Sequence, residues 1–158
     1  MKLTNTKHTT MKKTKHLLNA LVFGLLLILQ SFTIQGDSKI KYNEESWSKV
    51  TKQATDENKL IFVYVSMKGC HTCNDIEKSL ANSEVSEFFN ANFINVHLDG
   101  TKTANNMRAS KWGVAQVPAI VFLNGKSKVI HKLEGYQSAE DMIAQAKLAI
   151  RKKDQDFK

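Results

Sequence analysis

The apolar positions of this chain change period several times, and each change marks an element. Trp47, Val50 and Ala54 recur at helical spacing. Asn43-Glu44-Glu45, just before them, supplies a capping residue and two acids suited to the positive end of a helix dipole, so a helix is predicted from this triplet to about Asn58. Leu60-Ile61-Phe62-Val63-Tyr64-Val65 then runs apolar without a break. It is rich in β-branched and aromatic residues and too short for a stable helix, which predicts a strand buried on both faces. Cys73, Ile76 and Leu80 fall on one face of a following helix, and a second helical piece, capped by Ser83, carries Val85, Phe88 and Phe89. Phe93 to Leu98 alternates and predicts the next strand, and a helix is expected around Thr103–Lys111. Ala119 to Leu123 and Lys128 to Leu133, separated by Asn124-Gly125, predict a hairpin, with Lys126-Ser127 available to lengthen its loop. Ser138-Ala139-Glu140-Asp141 opens a last helix like a capping box, and Ala139, Met142, Ile143, Ala146 and Ile150 form its apolar stripe. Strands separated by helices imply parallel crossovers, and the hairpin adds antiparallel strands. The expected class is α/β, a mixed central β-sheet with helices on both faces.

The first 36 residues follow a different pattern. Lys12-Lys13-Thr14-Lys15 precedes an apolar run from Leu17 to Ile34, interrupted by Asn19, as a basic segment precedes the hydrophobic core of a signal peptide. Ser31, Thr33 and Gly36 suit cleavage near Thr33 or Gly36, without an A-x-A site, and the absence of cysteine there excludes a lipoprotein anchor. At about 18 residues the run also reaches the lower limit for a membrane span. Residues 1–36 are therefore expected to be a signal peptide, or an uncleaved anchor through residues 17–34, with Met11 an alternative start. Residues 37–158 form the domain, exported to a periplasmic or other extracytoplasmic space in either case. A chain of 158 residues, 42% hydrophobic and 24% charged, suits one globular domain whose core needs no covalent staple. The net charge of +8 suggests a nucleic-acid binder until it is mapped. Five lysines and no acid fall in residues 1–36, which leaves the remainder at +3. The one basic run there, Arg151-Lys152-Lys153, sits where a last helix would end, favourably for its dipole. The charge is mostly a targeting signal, and no nucleic-acid partner is expected.

Cys70 and Cys73 are the only cysteines, and they directly follow the predicted buried strand. One helical turn would hold their Cβ atoms about 5–6 Å apart, close to what a disulfide requires, so the pair can close and reopen with little backbone movement. Three other uses compete. Structural zinc needs four ligands, but there is no second cysteine pair and the histidines do not cluster in sequence, so no metal is expected. Haem attachment needs C-x-x-C-H, and Asn74 holds the last place. A purely structural disulfide is allowed, though so small a loop gains little from closure. His97 and His131 lie on predicted strands and read as ordinary sheet residues; Trp47 and Trp112 read as packing residues.

A strand ending in Cys70-His71-Thr72-Cys73, followed by a helix, resembles the thioredoxin family. So do Trp112-Gly113-Val114-Ala115-Gln116-Val117-Pro118-Ala119, with the only proline, and the hairpin leading to Gly135-Tyr136. The resemblance spans about residues 43–150 and is strongest to exported thioredoxin-like domains and the periplasmic domain of thiol:disulfide interchange proteins. It implies a thioredoxin-like fold with a cis Val117-Pro118 bond opposite the cysteines. Cys70, at a helix N-terminus and beside a protonatable His71, is then the attacking thiolate, and the more buried Cys73 resolves the mixed disulfide. Gly69, His71, Thr72, Val117 and Pro118 are the implied substrate-binding residues, with Val117-Pro118 holding the substrate as an added strand. No cofactor is implied beyond the redox-active Cys70–Cys73 pair. The implied partners are protein thiols or disulfides and a membrane redox protein, with the membrane itself touched only by an uncleaved N-terminal segment. Three departures stand out. Gly69 replaces the family's aromatic residue, and His71-Thr72 replaces Gly-Pro. Tyr64 stands at the place of the family's buried acid, whose lysine partner corresponds to about Asn95, so the proton of Cys73 is left to water or another group such as Glu77. These departures keep a second reading in play, a non-enzymatic binding module for metal handling or assembly.

Overall fold

Leu60–Ser66 (β1) is buried at every position, because both of its faces are covered. The computed structural model describes residues 39–156; the expected signal peptide or anchor in residues 1–36 lies outside the described residues. β1 is an inner strand of a four-stranded sheet. Phe93–Asp99 (β2) pairs with it in parallel, Ala119–Leu123 (β3) antiparallel, and Val129–Glu134 (β4) runs antiparallel to β3. Among the described residues the helices are Trp47–Asp56 (α1), His71–Leu80 (α2), Ser83–Asn92 (α3), Thr103–Lys111 (α4) and Ala139–Asp156 (α5). The expected mixed α/β sheet with helices on both faces is the observed fold.

Period-two alternation along β1 explains the two cores. Ile61, Val63 and Val65 pack with Ile94, Val96, Leu98, Val121 and the buried residues of α1 and α4. Leu60, Phe62 and Tyr64 face the other way, onto α2, α3 and α5, where Ile76, Val85, Phe89, Met142 and Ala146 close the layer. Phe62 meets Phe89 edge to face at 4.6 Å, and Phe93 and Phe122 complete an aromatic cluster under the helices. Trp112 is buried and lies 5.2 Å from Trp47, so both tryptophans are packing residues of the α1/α4 face.

Several boundaries differ from the expectation. α1 starts at Trp47, with no acid in its first turn, because Asn43 is used elsewhere. Its Oδ1 accepts from Glu45 N at 2.9 Å, closing a turn, while its own N–H donates to Asn95 O at 2.7 Å on the outer edge of β2. The helix ends in a Schellman arrangement around Asn58 (φ +50), with Lys59 N donating to Ala54 O and Asn58 N to Thr55 O. α3 is capped by Asn82 rather than Ser83, its Oδ1 reaching Glu84 N and Val85 N. The hairpin is real, but Asn124-Gly125 is not its two-residue turn. Ser127 N donates to Asn124 O and Ser127 takes the positive φ of +60, giving a three-residue loop of the type I plus bulge kind. Gly125 is needed for space: a Cβ there would run into Thr55 Oγ1 and lie 3.0 Å from Thr55 N. Ser138 caps α5 as expected, through Asp141 N, but the helix continues past Ile150 to Asp156 and takes in the basic run.

Candidate active site

The site forms where β1 ends. Cys70 N donates to Met67 O at 3.2 Å, closing a turn with Lys68 and Gly69 as its central residues. Gly69 has φ +82, a conformation that side chains avoid, and no atom lies within 4 Å of a Cβ built there. Backbone geometry rather than crowding therefore explains a glycine at this position. The turn delivers Cys70 to the N-cap of α2, where its Sγ accepts from Cys73 N at 3.1 Å. Cys70 and Cys73 form a disulfide with Cα atoms 5.2 Å apart. Cys73 is buried and Cys70 half-buried, so Cys70 is the more accessible of the two. A thiolate on Cys70 would sit at the positive end of the α2 dipole, with an amide N–H already directed at its sulfur and no acid in the first turn to oppose it. His71 and Thr72 begin α2 with exposed side chains, and His71 helps hold the Asp75 carboxyl below its usual range after the larger contribution of Lys78.

The peptide bond between Val117 and Pro118 is cis. Ala119 pairs with Val65 across the β1–β3 ladder, so Pro118 falls level with the last residue of β1, at the sheet end that carries the cysteine turn. Val117 also shares a cavity of about 230 Å³ with Met67, Val65 and Ala109. The elements that carry Gly69, Cys70, His71, Thr72, Cys73, Val117 and Pro118 thus converge on one end of the sheet.

Two features of the surroundings had escaped the sequence reading. Glu134, on β4, accepts from Ala115 N at 3.0 Å and pairs with Lys132 at 2.9 Å, which together lower its carboxyl pKa, the Ala115 bond most. Gly135 N donates to Pro118 O at 2.8 Å. Glu134 and Gly135 thereby hold the chain at Ala115 and at Pro118. The second feature lies beneath Cys73. Tyr64 is in register with His97, two places along β2 from Asn95. The two rings stack at 5.1 Å, His97 Nε2 lies 2.7 Å from Ser66 Oγ, and burial pushes the His97 pKa down. His131, on β4, likewise stacks on Phe122 and bonds to Gln145 on α5 at 2.7 Å.

A family profile described as a thioredoxin-like domain matches residues 47–150. This chain belongs to the thioredoxin-like family. No curated protein sequence matches it. Among solved structures, this thioredoxin-like chain is similar to a candidate disulphide isomerase from Bacteroides thetaiotaomicron, at 29% identity and TM-score 0.62 over 71% of this chain and 93% of the other. A thioredoxin from Thermus thermophilus shares the fold at 18% identity and TM-score 0.64, over 77% and 94% of the two chains. The C-terminal domain of Neisseria meningitidis DsbD in its oxidised form shares it at 13% identity and TM-score 0.56, over 70% and 98%. The thioredoxin-like fold is thus shared among these proteins.

Proposed function

We propose that this protein is an exported thiol:disulfide oxidoreductase that exchanges the Cys70–Cys73 disulfide with cysteines of protein substrates. The observation that carries the reading is Cys70 Sγ, accessible at the N-cap of α2 and accepting an amide N–H, with the buried Cys73 one turn behind it. Cys70 attacks a substrate disulfide, or is attacked by a substrate thiol. Cys73 resolves or re-forms the mixed disulfide. Val117 offers the substrate its backbone, with Gly69, His71 and Thr72 at the rim. The similarity to the candidate disulphide isomerase supports the same chemistry. Export rests on the basic and apolar pattern of residues 1–36, and it implies a membrane protein that resets the pair from the other side. The two features that favoured a non-enzymatic module have accounts of their own: Gly69 serves a positive-φ turn, and Tyr64 bonds to α2.

Dithiothreitol-driven reduction of insulin tests this function. Wild type is expected to accelerate precipitation of the insulin chains, and Cys70→Ser to fall to the uncatalysed rate. Equal rates, with stoichiometric binding of copper or zinc, would move the protein to the module reading. Sequencing the mature N-terminus from cells tests export, with a start near Thr33 or Gly36 expected for the cleaved form.

A further inference from the structure

The end of the sheet opposite the cysteines collects positive charge from three elements. Lys59 leads into β1, Lys126 and Lys128 belong to the loop between β3 and β4, and Lys153 arrives near the end of α5. Strand register brings them together: Leu60 pairs with Phe93, Ile61 with Leu123 and Leu123 with Val129, so the starts of β1 and β2 share an end with the hairpin loop. These lysines, with Thr55 and Asn58, line an open cavity of about 400 Å³. Among the described residues no carboxylate lines it. Glu57, nearby in the chain, pairs with Lys59 at 3.1 Å, Asp56 pairs with Lys52, and Lys153 donates to Asn58 O. α5 opens at the cysteine end with Glu140 and Asp141 and closes at this end with Arg151-Lys152-Lys153, as its dipole favours. The dipole gives no reason for Lys126 and Lys128, which are exposed on a loop of the sheet.

We propose that this lysine cavity docks the domain on an anionic phospholipid surface, with lipid phosphate seated among Lys59, Lys126, Lys128 and Lys153. Each lysine close to such a surface strengthens binding about fivefold, and salt weakens the attraction. A membrane, rather than a soluble anion, is favoured by the course of the chain. The described chain starts at Lys39, whose carbonyl oxygen accepts from Asn90 Nδ2 at 2.9 Å, while Lys41 N donates to Asn90 Oδ1 at 2.9 Å. Asn90 lies at the end of α3, just before β2 opens at Phe93, so the segment that carries the apolar run Leu17–Ile34 joins the domain at the lysine end. Seven residues of β1 separate that end from the cysteine turn, a span of roughly 20 Å. A docked domain therefore presents Cys70 to the aqueous side, where protein substrates are. Docking adds a location to the exchange chemistry and does not depend on it.

The test is amine acetylation of the full chain, read lysine by lysine by mass spectrometry, on vesicles of phosphatidylcholine alone or mixed with phosphatidylglycerol. Any insertion of the apolar run is common to both vesicles, so a difference between them reports the headgroup charge. Acetylation of Lys126 and Lys128 is expected to slow about fivefold on the mixed vesicles relative to phosphatidylcholine. Lys68, in the cysteine turn, and Lys102, at the N-cap of α4, are also exposed and lie at the other end of the sheet; their rates should match on the two vesicles. In Lys126→Gln/Lys128→Gln, the protection of Lys59 and Lys153 should be lost while the thermal transition stays that of wild type. Equal rates at Lys126 and Lys128 on the two vesicles, or equal protection of Lys68 and Lys102, overturn the proposal. So does the same protection with inorganic phosphate in place of vesicles, which marks a soluble-phosphate site instead. Protection at the lysine end in a chain that reduces no insulin keeps the docking and removes the exchange reading.

Discussion

Gly69 shows how much one residue ahead of the cysteines determines. Its φ of +82 lets the chain turn from β1 into α2 so that Cys70 arrives as the N-cap, and nothing crowds the position. Gly69→Ala should therefore lower stability by about 1 kcal/mol through backbone strain alone, read as a shift in urea midpoint. An unchanged midpoint would contradict the positive φ. His97 gives a second outcome at this scale. Its pKa is lower in the folded protein than the ordinary value of about 6.5, so the unfolded chain binds the proton more readily. The stability it contributes is full above that ordinary value and is lost as pH falls through the folded pKa. Wild type should lose stability more steeply than His97→Gln as pH falls below the ordinary histidine value. The depressed carboxylates Asp99 and Glu134 act at lower pH and leave this window clear. Parallel pH dependences would remove His97 from the account. At the residue scale the cysteines were legible because their chemistry lies in their spacing. The partner of Tyr64 was not: Asn95 and His97 differ by two places on one face of a strand, and only the β1–β2 register chooses between them.

Elements were legible in kind, and their ends were not. The helix Thr103–Lys111 and the strand Ala119–Leu123 stand where they were expected, the strand because its apolar run follows its burial. Ends depend on which polar side chain reaches a free amide first. Asn82 does so ahead of Ser83, and Asn43 is diverted to the turn before α1 and the edge of β2. The hairpin shows the same limit. Asn124-Gly125 signalled a turn correctly, yet glycine is required there by the approach of Thr55 rather than by its own dihedral angles. Gly125→Ala should destabilise the protein by about 1–3 kcal/mol, since backbone atoms of α1 as well as a side chain must give way. A loss below measurement error would mean that α1 and the hairpin sit further apart. Glu134 carries a prediction for the loop before Pro118. Glu134→Gln removes the charge that receives the Ala115 amide, so exchange of that amide with solvent should quicken several-fold while the core amides of β1 are unaffected. Equal exchange at Ala115 would show that Glu134 does not restrain the loop.

The whole molecule separates its stability from its chemistry. The aromatic cluster of Phe62, Phe89, Phe93 and Phe122 lies beneath the helices, whereas the cysteine turn and the Val117-Pro118 loop share one end of the sheet. Phe89→Ala should cost about 3–5 kcal/mol while leaving the exchange rate of the remaining folded protein unchanged. A variant equally stable but inactive would contradict that separation. The central claim is that Cys70 is the sulfur that meets the substrate and Cys73 the one that releases it. Cys73→Ser cannot complete the second step, so its mass spectrum after reaction with a disulfide-bonded peptide tests the claim most directly. The expected result is one peptide linked to Cys70 and persisting, against wild type that returns to its internal disulfide with the peptide reduced. Absence of any adduct on Cys70, or an equal adduct on Cys73 in Cys70→Ser, would contradict it.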